Sequence, residues 1–201
     1  MKRELLLKAI CETAYNVGYA AKMNFATFDI VEKVPGYLGF ASLAVGVYAL
    51  IEPGLSTPHV GAALVIVGIV AVYIALYQNE KQRYDDAGKQ LTSQFNSLKK
   101  LYLMVKSRSD TDDLSDLIAQ HDAIQNETVN MTLSKQILFS DWYAHYKFFW
   151  QQQIDWIEEQ KKFGFVRDRV PLTAWVSLVT LIIIGLVVLA KNEKFLSCIS
   201  L

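Results

Sequence analysis

The sequence predicts an all-α membrane protein with an N-terminal amphipathic helix, a transmembrane hairpin, long cytoplasmic helices and a third, C-terminal transmembrane helix. Three observations carry this reading. No charged residue lies between Val34 and Ile51; after Glu52 none follows until Glu80, with His59 neutral; and none lies between Val170 and Ala190. Uncharged apolar runs of about 18 residues or more are long enough to cross a bilayer as helices. Next, the 75 residues between Gly88 and Gly164 contain neither Gly nor Pro, which argues for long helices. Finally, "EKVP" (32–35) and "DRVP" (168–171) each set an acid, a base, Val and Pro at the head of an apolar run. The 20 basic and 20 acidic residues balance, but they are squeezed between the apolar runs. That balance gives no reason to expect direct nucleic-acid binding.

The first segment, 1–33, opens with "MKRELLLKAI". Glu4 and Lys8 interrupt its apolar part and no small-residue cleavage site follows, so a signal peptide is not expected. Leu6, Ile10, Ala14, Val17, Ala21, Phe25 and Phe28 recur at three- and four-residue steps, with Lys8, Glu12 and Lys22 opposite. Such a helix lies on a membrane surface or packs on another helix. The scarcity of cations on its polar face favours packing.

Residues 34–77 read as the transmembrane hairpin. The first span, 35–51, covers about 25 Å at ~1.5 Å per residue, with Tyr37 and Tyr48 near its ends as interfacial aromatics. "EPGLSTPH" (52–59) is a turn by its Pro and Gly, and the second span is 60–77. Gly39, Ser42 and Gly46 share one face of the first span; Gly61, Gly68 and Ala75 share one face of the second. Small residues let helices approach closely in lipid. These faces either hold the hairpin together or mediate contact between subunits, lining a pore if one forms.

Residues 78–169 form the cytoplasmic segment. Leu91, Phe95, Leu98, Tyr102 and Val105 mark one helix face, and "SRSDTDD" (107–113) is a polar loop rich in helix N-caps. A second helix is expected over 114–163, weakened at Asn126, Thr128, Val129, Asn130 and Thr132. Straight, it would reach about 75 Å, so an antiparallel stalk or coiled-coil bundle is the expected product. The third span occupies 170–190, and 191–201 is a short tail.

The loop 52–59 has no Lys or Arg, whereas 1–33 hold five and 78–170 hold thirteen. By the positive-inside rule the N-terminus and the middle segment are cytoplasmic and the C-terminus lies outside. Cys11 and Cys198 then fall on opposite sides, so no disulfide is expected between them. Pro suits the first turn of a helix and pushes the preceding residue toward extended geometry. Pro35 and Pro171 therefore mark where the chain passes into the membrane. Lys33 and Arg169 would hold their charges in the headgroup layer, and the four residues form candidate hinges.

No catalytic or metal constellation emerges, and no cofactor is implied. Asp141 and His145 share a helix face at i, i+4, an arrangement that suits a general base or two metal ligands, but no third group stands at a persuasive spacing. A solvated or helix-stabilising pair accounts for them better, and no enzyme is expected. The segment 139–163 is densest in aromatics. Trp142, Tyr146, Trp150 and Trp156 are its candidate partner or ligand surface, against the alternative of a bundle core or subunit seam. The spans carry no Asp, Glu, Lys or Arg, which argues against an ion-coupled transporter. Three spans enclose no useful aqueous path alone, so pore function would need an oligomer.

The stretch "YNVGYAAKMNFATFDIVEK" (15–33), leading into a hairpin and then a long helical segment, resembles the SLATT family of bacterial membrane effectors. The resemblance covers roughly residues 10–165 and rests on that order and on a loose pattern around Tyr15, Ala21, Lys22 and Asp29. The third span after "VRDRVP" goes beyond the family's two-span minimum. The resemblance implies a role in phage defence by abortive infection. It further implies an oligomeric, pore-forming or membrane-disrupting effector in the bacterial inner membrane, working with a nucleotidyltransferase or a reverse transcriptase. The alternative is a membrane scaffold without a pore that recruits a cytoplasmic partner.

Overall fold

The protein, seen here as a computed structural model, is described over residues 2–129, 131, 133–164 and 168–191. The expected tail beyond 191, with Cys198, lies outside the described residues, as do Asn130, Thr132 and Arg167. The chain divides into two units, Met1–Lys161 and Lys162–Leu201. Every regular element among the described residues is a helix.

Helix α1 runs unbroken over Arg3–Tyr48, with Pro35 inside it. At ~1.5 Å per residue it is about 69 Å long. The break expected at Pro35 is therefore absent. Proline removes one helical hydrogen bond and crowds the preceding turn, at a cost of about 3 kcal/mol. Packing on both sides of it holds the helix in line. Val31 is buried against Ile74, Tyr77, Tyr84 and Ile137, and Val34 and Leu38 pack on the same cluster.

Helix α2 (Pro58–Ala75) begins with a proline behind Thr57, whose hydroxyl accepts from the Val60 N–H. A short 3-10 turn leads from it into α3 (Lys81–Ser107). The α3 face anticipated from spacing is the one that packs: Leu91, Phe95, Leu98, Tyr102 and Val105 are all buried. Against it lie Leu6, Ile10, Ala14, Val17 and Ala21 of α1, also buried. Full burial of each large aliphatic or aromatic side chain contributes roughly 1.5–3 kcal/mol.

Two glycines set the approach of these helices. A Cβ at Gly18 would lie 2.8 Å from the Phe95 ring, and one at Gly88 would lie 2.8 Å from Phe25. The pairs step seven residues forward on α1 and seven back on α3, so the helices run antiparallel. Arg3–Asp110 at one end (2.6 Å) and Glu32–Lys81 at the other (2.5 Å) agree.

The helix expected over 114–163 is broken into pieces. Helix α4 (Ser115–Val129) starts behind Asp113, whose carboxylate accepts from the Ser115 N–H at 3.0 Å. A non-helical strap, 133–139, follows, then α5 (Ser140–Tyr146), a π-helical turn (Lys147–Gln151) and the one-turn α6 (Asp155–Glu158). The strap ends at Phe139 with φ 67 and ψ 2. A left-handed backbone costs an ordinary residue roughly 1–2 kcal/mol, so contacts beyond the helix must hold it there.

In the second unit, the Gly164 N–H donates to the Asp168 carboxylate at 2.8 Å. The Pro171 carbonyl accepts from Ala174 at 3.0 Å. Helix α7 (Leu172–Lys191) starts immediately after that proline. Its side chains from Val176 to Val187 are largely exposed apolar groups.

Candidate functional site

Beyond Val34, α1 changes character. Tyr37, Phe40, Leu43 and Val47 are exposed, Phe40 at 76%. On α2, Val65, Ile66, Ile69 and Val72 are exposed likewise. Among the described residues, α1 and α2 lie in the two helical stretches long and apolar enough to cross a membrane, by length and composition. Where they face each other, a cavity is lined by Leu38, Ser42 and Val45 of α1 and by Val60, Leu64 and Val67 of α2. The α2 members recur at steps of four and three, so aliphatic side chains make this seam. A Cβ at Gly39, Gly46, Gly61 or Gly68 would meet nothing within 4 Å. Ala75 is exposed as well, so of the six small residues only Ser42 lies on the seam.

At the junction of bundle and apolar helices the strap is tied down by hydrogen bonds. The Tyr84 hydroxyl donates to the Lys135 carbonyl at 2.6 Å, and Tyr77 donates to the Gln136 carbonyl at 3.4 Å. The Tyr73 hydroxyl accepts from the Leu138 N–H at 3.2 Å. Thr27 donates to the Gln136 side chain at 2.5 Å, and the amide of Gln136 donates to the Leu133 carbonyl at 2.8 Å. Lys135 stands over the Tyr77 ring, 4.6 Å from its centroid. Tyr73 of α2, Tyr84 of α3 and Tyr77 between them thus meet backbone polar groups of this irregular segment, and α1 meets its Gln136 side chain.

Beside the strap, Asp29 receives both Lys33, at 2.6 Å, and Lys147 of the π turn. Burial pushes its carboxyl up, but hydrogen bonds and charge from the two lysines outweigh burial and hold it below the usual carboxylate range. Lys147 also lies over the Tyr143 ring at 4.4 Å. Lys22 is pushed down by burial and by the charge of Lys147. Of the candidate hinge residues, Lys33 is thus paired within α1, Pro35 is inside the helix, Pro171 precedes α7, and Arg169 lies in the turn before Pro171.

The aromatic candidates separate. Tyr146 and Trp150 are exposed, Trp142 sits at the border of exposure, and Trp156 is buried beside Phe95 and Tyr102. His145 stacks edge-on against Tyr19 at 5.0 Å, and its Nδ1 has no hydrogen-bond partner. Burial lowers its pKa, partly opposed by Asp141. Thr13 and the buried His121 share a hydrogen bond of 2.9 Å that spacing could not reveal, since 108 residues separate them. His121 approaches the exposed Asp122 at 3.5 Å. Thr13 lies inside α1, where its neighbours' N–H groups are committed to the helix. No group of three potential metal ligands occurs among the described residues. Cys11, buried and pushed up to about 12 by burial and then by Glu159 and Glu12, is an inert thiol.

The arrangement defines a class: an all-α protein in which one helix serves both a packed bundle and a pair of exposed apolar helices, with the junction strapped by tyrosines.

The chain belongs to the SLATT family, for the family described as "SMODS and SLOG-associating 2TM effector domain 6" matches residues 1–193. No curated protein and no solved structure matches the chain. Membership makes it a two-span membrane effector domain of conflict systems, which fits a functional partner of the nucleotidyltransferase type.

Proposed function

We propose that this chain is an oligomeric effector of a bacterial anti-phage system that permeabilises the inner membrane when its cytoplasmic bundle is triggered. The observation that carries this reading is the continuity of α1. Its N-terminal part is buried in the bundle and its C-terminal part is exposed and apolar, with no joint between them. A tilt or rotation of the bundle therefore reaches the membrane through a rigid rod. Oligomerisation is supported by the outward glycines of both apolar helices, since close helix contact in lipid uses such faces. The charge distribution supports a cytoplasmic N-terminus and middle segment, a hairpin of α1 and α2, and a third crossing by α7 that leaves the C-terminus outside. The partner would be a nucleotidyltransferase or a reverse transcriptase acting upstream.

Induced expression with the trigger present should collapse membrane potential and admit an impermeant dye. Intact potential in cells that nevertheless stop growing would overturn the permeabilising role. A non-pore scaffold is the second reading, favoured by the exposed Tyr146 and Trp150. Replacing both with Ala would then abolish partner recruitment, with no permeabilisation to lose.

A further inference from the structure

Where α1, α2 and the strap meet there is a cavity of about 550 Å³. Ile30 and Val34 wall it from α1, Ile69 and Val70 from α2, and Leu138 and Phe139 from the strap. Its size falls in the ~300–1,000 Å³ range of ligand pockets. Its walls present almost no polar surface, however, and the hydroxyl of Tyr73, at its edge, already accepts from Leu138. A polar metabolite would lose its hydration there without recompense, and water needs two or more polar partners to stay.

The rim is exposed, Ile69 at 64%, Leu138 at 62% and Phe139 at 57%. It is continuous with the exposed apolar faces of α1 and α2, so the medium in front of it is the one that covers those faces. Charge stands at the same level. Lys33 adjoins Val34 in sequence, Lys135 precedes Ile137 by two residues, Lys33 and Lys147 share the carboxylate of Asp29, and the neighbouring Glu32 is taken up by Lys81. A cationic surplus beside an apolar slot complements a phosphate joined to a hydrocarbon chain.

We propose that this cavity binds one acyl chain of a membrane phospholipid, its phosphate toward Lys33, with the strap closed over the chain. The proposal rests on reading α1 and α2 as membrane-spanning. The chain would supply the contact that holds Phe139 in its left-handed conformation. A ligand that binds only the strapped form stabilises that form by mass action, so lipid occupancy and the set of the bundle would be coupled at this point.

Trp142 is the natural reporter, because its ring lies 5.6 Å from that of Phe139. The full chain carrying Trp150→Phe, Trp156→Phe and Trp175→Phe would be placed in nanodiscs of phosphatidylethanolamine and phosphatidylglycerol, the latter brominated on its acyl chains. Bromine quenches indole at contact range. Trp142 fluorescence should be lost, and Val70→Phe or Ile69→Phe, each of which fills the cavity, should restore it. Quenching that neither variant relieves would mean the indole is bathed by bulk bilayer, and the site would be refuted. A companion chain with Phe40→Trp as its sole indole reports membrane embedding. If that indole is quenched and Trp142 is not, the cavity proposal alone fails; if neither is quenched, the membrane reading fails and the cavity proposal with it. Native mass spectrometry of the detergent-extracted chain should also retain a bound phospholipid that Val70→Phe loses, and no retained lipid would count against the site even if one variant misfolds.

Discussion

Two stretches of one helix obey opposite rules. From Leu6 to Val31, α1 buries aliphatic residues and brings Gly18 against an aromatic ring. From Gly36 to Tyr48, the same helix turns large apolar side chains outward and leaves its glycines in open space. The first stretch is stabilised by what it touches inside the chain. The second presents an exposed apolar surface. Whether a small residue serves packing is thus a matter of position along one rod, and residue type alone does not say.

This contrast can be broken most forcefully in the bundle. Phe148→Ala removes a side chain buried against Tyr15 and Phe149. It should cost about 3–5 kcal/mol, read as a fall in Tm by circular dichroism in detergent. Phe40→Ala should change Tm within the scatter of a surface substitution, about 0.5 kcal/mol. Equal losses at the two sites would erase the distinction.

The next largest effect separates the glycines. Gly18→Ala drives a methyl into Phe95 and Phe148, and such overpacking costs about 1–3 kcal/mol. Gly39→Leu should leave thermal unfolding of the protomer unchanged but reduce chemically cross-linked oligomers in membranes. Unaltered cross-linking would remove Gly39 from any subunit seam.

A smaller effect is expected at the junction. Tyr84→Phe deletes the 2.6 Å bond to the Lys135 carbonyl, worth about 1 kcal/mol. Faster amide exchange confined to 133–139 is the expected signature, with α2 unaffected. Protection that stays as it was would mean the strap is held elsewhere.

The smallest effect depends on pH. Burial keeps the pKa of His145 below its usual 6.5, so near that value the unfolded chain binds more protons than the folded one. The associated stability is complete above about pH 6.5 and is lost as pH falls toward the folded-state value. Tm should therefore decline on acidification through this window, and His145→Gln should flatten the decline. Asp29, held low by its lysines, adds a second loss only in the carboxylate range.

Much of the bundle was legible because burial follows helical period. The α3 face and the first five positions on α1 were read from spacing alone and are buried. Four features were not. Proline signals a helix end only when no tertiary cluster straddles it, and Val31, Val34 and Leu38 straddle Pro35. The absence of Gly and Pro does not keep a segment helical. Phe139 occupies the conformation that Gly would ordinarily mark, so the turn there leaves no trace in the residue type. Trp156 and Trp150 look alike in sequence, but the irregular turn after Gln151 sends one into the core and leaves the other outside. The tyrosines that tie the strap are 51 to 65 residues away from their partners, beyond the reach of local pattern.

The continuity of α1 also dictates an order of assembly. The ribosome delivers the packing half of the helix first, the membrane half next, and the α3 surface that covers the packing half only after Val105 has emerged. At ~5–20 residues per second, Leu6, Ile10 and Val17 wait some seconds for their cover while the rest of their own helix is already due for insertion. The residues of α3 emerge in the order in which they meet α1 from Glu32 back to Arg3, so the stripe is covered from the middle of the long helix toward its start.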